Sequence, residues 1–335
     1  MMKRILALFV ALILISLITA SYAAKEQEND FVFSVKGKSA TIIKYIGNET
    51  GILEVPDTLG GKRVRVIGKE AFQEASPSRI ILPEGLDTIE EKAFYNARAY
   101  DIILPDSGNI LTINSRAFDR CSNLQKFYIP ATVEFVGNNF FSNCSELSDF
   151  ELNPEHKKYE MLEKVLITKK EKRLIAFPEK MTIPTFRIPD GVREIPDACC
   201  SLLMDCKELI IPDSVETIGI CAFMTLHSVR ELEIGSGIKK MGASAFSNCH
   251  NLKTVIIHDG AKMIGDKAFK ECSKLEAIYV PVSVKKIGND AFPDNYNLKI
   301  VTDFKSTAAK YARNHGIDLV APDPDDYLPV IISDD

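Results

Sequence analysis

The chain has 335 residues, 46% of them apolar and 26% charged, with a formal net charge of −5 and no Trp. This balance excludes general disorder, a collagen-like repeat and a multi-span membrane protein, and leaves room for one large domain or two ordinary ones. An acidic excess also argues against a nucleic-acid partner, which is met with basic surface.

The leading segment, up to Ala24, differs in composition from all that follows. Lys3 and Arg4 precede an uncharged stretch, residues 5–20, that is apolar except for Ser16 and Thr19. It is shorter than the roughly 20 residues a helix needs to cross a bilayer. Ser21-Tyr22-Ala23 then places small residues three before and one before a cut. The pattern predicts a secretory signal peptide over residues 1–23, cleaved after Ala23. Loss of Lys3 and Arg4 takes the charge from −5 to −7. The expected location is secreted or on the extracellular surface, with membrane contact only through an uncleaved leader.

A repeat occupies most of the remainder. Val284-Lys285-Lys286-Ile287-Gly288-Asn289-Asp290-Ala291-Phe292 matches Ile264-Gly265-Asp266-Lys267-Ala268-Phe269, and the frame recurs at Phe246, Phe223, Phe141, Phe118, Phe94 and Phe72. A degenerate copy puts Cys200 at the Phe position. The steps between these positions give a period of about 23 residues, broken once, between Phe141 and Cys200, by an insertion of about 36 residues. Five positions before the Phe stands an aliphatic, from Ile67 and Ile89 through Val136 to Ile287, followed by Gly in six rungs of nine. That Gly implies a special backbone conformation or a close approach. Three after the Phe comes Cys121, Cys144, Leu203, Leu226, Cys249 or Cys272, and six after comes Leu124, Leu147, Cys206, Val229, Leu252 or Leu275. A short alternating segment follows, such as Leu124-Gln125-Lys126-Phe127-Tyr128-Ile129-Pro130, with strand periodicity and a Pro stop. A unit this short cannot hide its own apolar face, so the copies must stack. The prediction is a β-rich solenoid of about nine rungs over residues 55–305, roughly 40–50 Å long.

The frame Ile-Gly-x-x-Ala-Phe-x-x-Cys-x-x-Leu-x-x-Ile-x-Ile-Pro resembles the BspA-type leucine-rich repeats of bacterial surface and secreted proteins. Ser244-Ala245-Phe246-Ser247-Asn248-Cys249-His250-Asn251-Leu252 matches it closely. The resemblance implies a leucine-rich-repeat solenoid with amino-terminal strands over residues 24–54, running on to a turn at Gly60-Gly61-Lys62. It also implies a hairpin insert and a carboxy-terminal cap over residues 306–320. Cys199-Cys200 in place of Ala-Phe, and the uneven early spacings, depart from the pattern.

The insert falls within residues 154–190. Val165-Leu166-Ile167-Thr168 and Leu174-Ile175-Ala176-Phe177 flank a polar turn and predict a β-hairpin. Its eight Lys or Arg against five acids between residues 155 and 180 read either as a patch for an acidic surface or as the solvated tip of a hairpin. Residues 307–315 have helix composition, with Ser306 or Thr307 to start and Gly316 to stop. A strand over residues 317–320 would then close the stack. Residues 321–335, with five Asp and three Pro, read as an acidic flexible tail.

The inward position of most Cys predicts a ladder of buried thiols, although adjacent rungs leave bridges between Cys121 and Cys144, or Cys249 and Cys272, open. Cys221 should be the most accessible thiol, and His227 and His250 should stack beside it. No catalytic or phosphate-binding motif appears, so neither enzyme activity nor a cofactor or metal is expected. Each strand carries one outward residue between its inward pair: Ile81, Ile103, Tyr128, Glu151, Ile210, Glu233, Ile256 and Tyr279. Six of the eight are apolar or aromatic, which marks either an interaction face or plain β-propensity. The expected function is that of an adhesin-like binding module, with an extracellular protein or glycan as partner and Tyr128 and Tyr279 as anchors, no nucleic acid being involved. The competing expectation is a passive component of the envelope or matrix.

Overall fold

The computed structural model describes residues 25–178, 180, 184–199 and 206–322. The leader, the core position Cys200 and the tail from residue 323 onward lie outside the described residues. What is described is a solenoid whose rungs each contribute two short parallel strands and a compact turn.

One strand face holds twelve strands. Ile52–Glu54, Arg79–Ile81 and Asp101–Ile103 form a three-stranded sheet, and Lys126–Ile129 pairs with Asp149–Leu152. Thr185–Arg187, Glu208–Ile211, Glu231–Ile234, Thr254–Ile257, Ala277–Tyr279, Lys299–Val301 and Asp318–Val320 form a seven-stranded sheet. Twelve turns replace the expected nine because three further turns carry no copy of the repeat frame. In the first of these, Tyr45 takes the aromatic place, stacking on Phe72 at 5.6 Å. Another follows the insert, and in the last a helix, Thr307–His315, replaces the turn. The second face carries the aliphatic ladder, with Ile67 in register with Ile89, Ile89 with Ile113, and Ile195 with Ile218 and Met241.

The rungs meet through four repeated contacts. Phe rings stack from Phe72 to Phe94, Phe118 and Phe141, and again from Phe223 to Phe246, Phe269 and Phe292, at 5.0–6.1 Å between centroids. The N–H of Phe72, Phe94, Phe118, Phe223, Phe246 and Phe269 donates to the carbonyl one residue before the next Phe, as from Phe94 to Ala117 and Phe246 to Ala268. Buried Cys thiols donate to the Phe carbonyl of the rung before, Cys121 to Phe94 at 3.1 Å, Cys144 to Phe118 at 3.1 Å and Cys272 to Phe246 at 3.2 Å. A Cys here fills space as a small hydrophobe and satisfies a buried acceptor, which Ala would not. None of the seven described cysteines is joined in a disulfide, so neither possible bridge is formed.

The fourth contact is backbone against backbone. A Cβ on Gly242 would lie 2.5 Å from the carbonyl carbon of Gly219, and one on Gly265 would lie 2.5 Å from the oxygen of Gly242. Gly219 and Gly288 are equally confined, so close approach explains these glycines. Gly137 is different: its φ is +102°, and Phe135, not Val136, turns inward just before it. Val136 is exposed, contrary to the inward place its spacing predicts, because Phe135 is the residue in register with Ile113.

In the turns from Phe72 to Phe269, two residues adopt left-handed backbone, one two before and one two after the Phe. Lys92 and Asn96 flank Phe94, Lys267 and Glu271 flank Phe269, and Cys221 and Thr225 flank Phe223.

At the amino terminus Lys25–Glu28, Phe31–Lys36 and Ser39–Tyr45 form an antiparallel meander on the edge of the second-face sheet. Gly60 and Gly61, both at positive φ, close the hairpin between Thr58–Leu59 and Lys62–Ile67. At the other end Ser306 caps the helix by accepting from Ala309 N–H at 3.0 Å, and Gly316 stops it in left-handed conformation. Tyr311 meets Phe292 edge-on at 5.3 Å and so ends the ring stack.

The insert is larger and more buried than a hairpin tip. Val165–Thr168 and Leu174–Ala176 pair antiparallel as expected, but Tyr159–Leu162 adds a third strand. Both faces of this sheet are buried. Val165, Ile167, Leu174 and Phe177 join the carboxy-terminal core, whereas Tyr159, Leu166, Ile175 and Ala176 join the amino-terminal one. It is therefore a wedge between two half-solenoids. Its ends are sewn in by Phe135 N–H donating to the Tyr159 hydroxyl at 2.9 Å and by a parallel bridge from Arg173 to Glu194. His156, 2% exposed, holds the entry turn. Its Nδ1 accepts from the N–H groups of Lys158 and Tyr159, and its Nε2 lies 3.1 Å from the Val133 carbonyl, so Nε2 carries the proton of a neutral ring.

Three outcomes follow from this packing. Gly242→Ala should lower stability by about 1–3 kcal/mol in urea unfolding, while Gly51→Ala, whose Cβ meets nothing within 4 Å, should not. Iodoacetamide labelling resolved by mass spectrometry should modify Cys199 and Cys221, both half-buried, before the buried Cys121, Cys144, Cys249 and Cys272. Burial, opposed by the Val133 carbonyl and reinforced by Lys169 and Lys158, lowers the pKa of His156. The folded state thus binds that proton less tightly than the unfolded chain, whose His titrates near ~6.5. Stability should be whole above that pH and fall below it, by at most about 1.4 kcal/mol per pH unit. His156→Gln should flatten the drop in melting temperature between neutral and mildly acidic pH.

Candidate binding face

The twelve-strand face presents the outward residues in two separate groups. On the amino-terminal side Ile81 and Ile103 are in register and half-buried. Tyr128 belongs to the next sheet, is 40% exposed, lies beside Glu151 in register and accepts a hydrogen bond from the Asn153 amide at 3.2 Å. On the carboxy-terminal side Arg187, Ile210, Glu233, Ile256, Tyr279, Val301 and Val320 follow one another in register across seven strands. Tyr128 and Tyr279 therefore stand in different sheets, and the wedge separates the halves that carry them. Ile210, Ile256 and Tyr279 share one sheet.

The outward register holds, but exposure does not follow from it. Ile256 is only 6% exposed, which corrects the expectation of an open side chain. It is in register with Glu233 on one side and Tyr279 on the other, and His258 stands just past the end of its strand. His258 Nε2 and Glu233 Oε1 are 2.8 Å apart, so a polar bridge closes beside the isoleucine. Ile210 and Tyr279 are half-buried.

Two adjoining grooves result. One, of about 360 Å³, is lined by Ile256, Tyr279 and Val301, with His258, Asp259 and Asp303 supplying polar groups. The other, of about 370 Å³, includes Arg187, Ile210, Asp213 and Glu233 and shares His258 and Asp259 with the first. Asp213 accepts from the Ser236 N–H at 2.6 Å, and this bond to the next rung is the main reason its carboxyl is held below the usual range. An apolar floor bordered by fixed hydrogen-bonding groups suits an amphipathic ligand laid across the strands.

His258 and Asp213 were not singled out by the periodicity. A signal for His258 does exist: it stands where rungs such as Ile211-Pro212 have Pro. His227 and His250 do stack, with ring centroids 6.2 Å apart. Among the described residues no group of three or more His, Cys, Asp or Glu is placed to hold a metal. No helix among them is long and apolar enough to cross a membrane.

A family model described as the BspA type leucine rich repeat region matches residues 61–164 and 193–310, with six copies. The gap between the two matched stretches holds the second and third strands of the wedge and the solenoid strand Thr185–Arg187. Among solved structures, a leucine rich cell surface protein from Faecalibacterium prausnitzii is 25% identical with a TM-score of 0.54, covering 83% of this chain and 96% of that one. The pneumococcal vaccine antigen PcpA shares the fold at 18% identity and a TM-score of 0.57, covering 90% and 99%. A leucine-rich repeat protein from Eubacterium ventriosum does so at 16% and 0.53, covering 83% and 86%. No curated protein matches the chain in sequence. Repeat frame, strand faces and matched length agree: the chain belongs to the BspA type leucine rich repeat family.

Proposed function

We propose that this protein is an adhesin-like binding module, secreted or held at the cell surface, that takes an extracellular protein or glycan along the seven-stranded face. The observation that carries this reading is the pair of adjoining grooves, the first floored by Tyr279 and Ile256 and both sharing the polar groups of His258 and Asp259. The ring offers large contact area with little loss of rotamer freedom, which is why Tyr anchors so many interfaces. The leader over residues 1–23 supports export, as does the likeness to a relative described as a cell surface protein. Tyr128, Ile81 and Ile103 belong to a second, separate stretch of the same face, and we assign them a supporting role for a ligand long enough to pass the wedge. We assign no catalytic step and no cofactor.

The test is binding of residues 25–335 to arrays of extracellular-matrix proteins and glycans. Tyr279→Ala should weaken the retained ligand by about tenfold or more, with the unfolding midpoint little changed. Tyr128→Ala should weaken it less. A folded Tyr279→Ala variant that binds as the parent does would remove the groove from the interface, and a parent that retains nothing would favour the passive envelope component.

A further inference from the structure

The wedge carries a feature that the strand face does not use. Lys157 and Lys158, at the start of its first strand, and Lys169 and Lys170, at the end of its second, come to the same end of the sheet, because Tyr159 is in register with Thr168. The Lys169 N–H donates to the Lys158 carbonyl at 2.8 Å. The four lysines line one hollow of about 400 Å³ with Tyr159, Thr168 and a single carboxylate, Glu171.

The hollow is built on fixed parts. Lys169 Nζ donates to the His156 carbonyl at 2.7 Å, and the buried His156 ring holds the Lys158 and Tyr159 N–H groups. Within the hollow Lys158 pairs with Glu134, and elsewhere in the insert Lys172 pairs with Glu160, Arg173 with Glu194 and Lys180 with Glu146. Lys157 and Lys170 are exposed and make no ion pair among the described residues. On a chain of net charge −5, unpaired lysines gathered at one hollow form a local field opposite in sign to the whole. The hollow also lies towards the second face, next to Val133–Val136, and away from the grooves around Tyr279.

We infer that this lysine hollow is a binding site for an acidic polysaccharide, one bearing sulfate or carboxylate groups along its length. A lysine ammonium is a point charge that accepts either anion without demanding planar geometry. A polymer suits an open, solvent-facing hollow, because several weak screened contacts add along one chain. The site is independent of the strand-face reading.

The experiment is calorimetry or biolayer interferometry of residues 25–335 against heparin, polygalacturonate and neutral dextran, at about 50 mM and about 300 mM NaCl. Heparin or polygalacturonate should bind at low salt and weaken at high salt, and dextran should not bind. Heparin alone binding would assign the site to sulfate, and binding of both to anionic sugars in general. Lys157→Ala with Lys170→Ala should weaken binding about tenfold without moving the unfolding midpoint, and Tyr279→Ala should leave it intact. The inference is overturned if the double lysine variant binds like the parent, or if neither acidic polymer binds better than dextran. It is also overturned if Lys262→Ala with Lys285→Ala, exposed lysines on the solenoid body, costs as much, since that would mean diffuse attraction.

Discussion

The contact between one rung's backbone and the next sets the terms for everything else in this molecule. Where Gly242 lies against Gly219 and Gly265 against Gly242, no side chain fits between turns. That spacing brings Phe246 over Phe223 and Phe269 over Phe246 and puts the Phe223 and Phe246 N–H groups on carbonyls of the next turn. It also lets a Cys thiol reach the carbonyl behind it. The apolar residues supply the driving force, and the glycines let these turns close to that distance, which the Phe94 and Phe118 turns reach with Glu90 and Asn114 in the same place. A run of short parallel strands follows, and with it a face on which outward residues line up rung after rung.

The wedge shows what happens when that continuity is broken. The ring ladder described from Tyr45 to Phe141 resumes at Phe223, and between the two an antiparallel sheet supplies apolar side chains to both sides. Two cores therefore meet across one layer of backbone. Each half keeps its own stretch of strand face, which is why Tyr128 and Tyr279 do not share a sheet. The same layer brings its charged turns out at one end, where Lys157 and Lys170 make no ion pair among the described residues.

Most of the solenoid is legible in the chain because a fixed period reports on stacking directly: the position of Phe94 announces that of Phe118. The three further turns escaped because they lie outside that period, Tyr45 standing farther ahead of Phe72 than one repeat. The two-sided burial of the wedge left a readable trace. Val165-Leu166-Ile167 and Leu174-Ile175-Ala176-Phe177 are continuous apolar runs, as expected of strands covered on both faces, whereas a solvated hairpin would alternate. Exposure along the binding face was not legible in this way. Register tells which side Ile256 faces, but its burial depends on Tyr279 beside it and on the Glu233–His258 bridge, contacts that cross between rungs and vary from one to the next.

The left-handed residues that flank the Ala-Phe pairs carry a consequence of their own. Asn96, Asn143 and Asn248 adopt this conformation readily, but Lys92, Arg116, Thr225 and Glu271 occupy it against the preference of a side chain with a Cβ. Each such residue gives up about 1 kcal/mol, and the toll recurs turn after turn. The scaffold thus has a row of tuning positions, none of them lining a candidate ligand site, at which rigidity can be raised or lowered without redrawing either recognition surface.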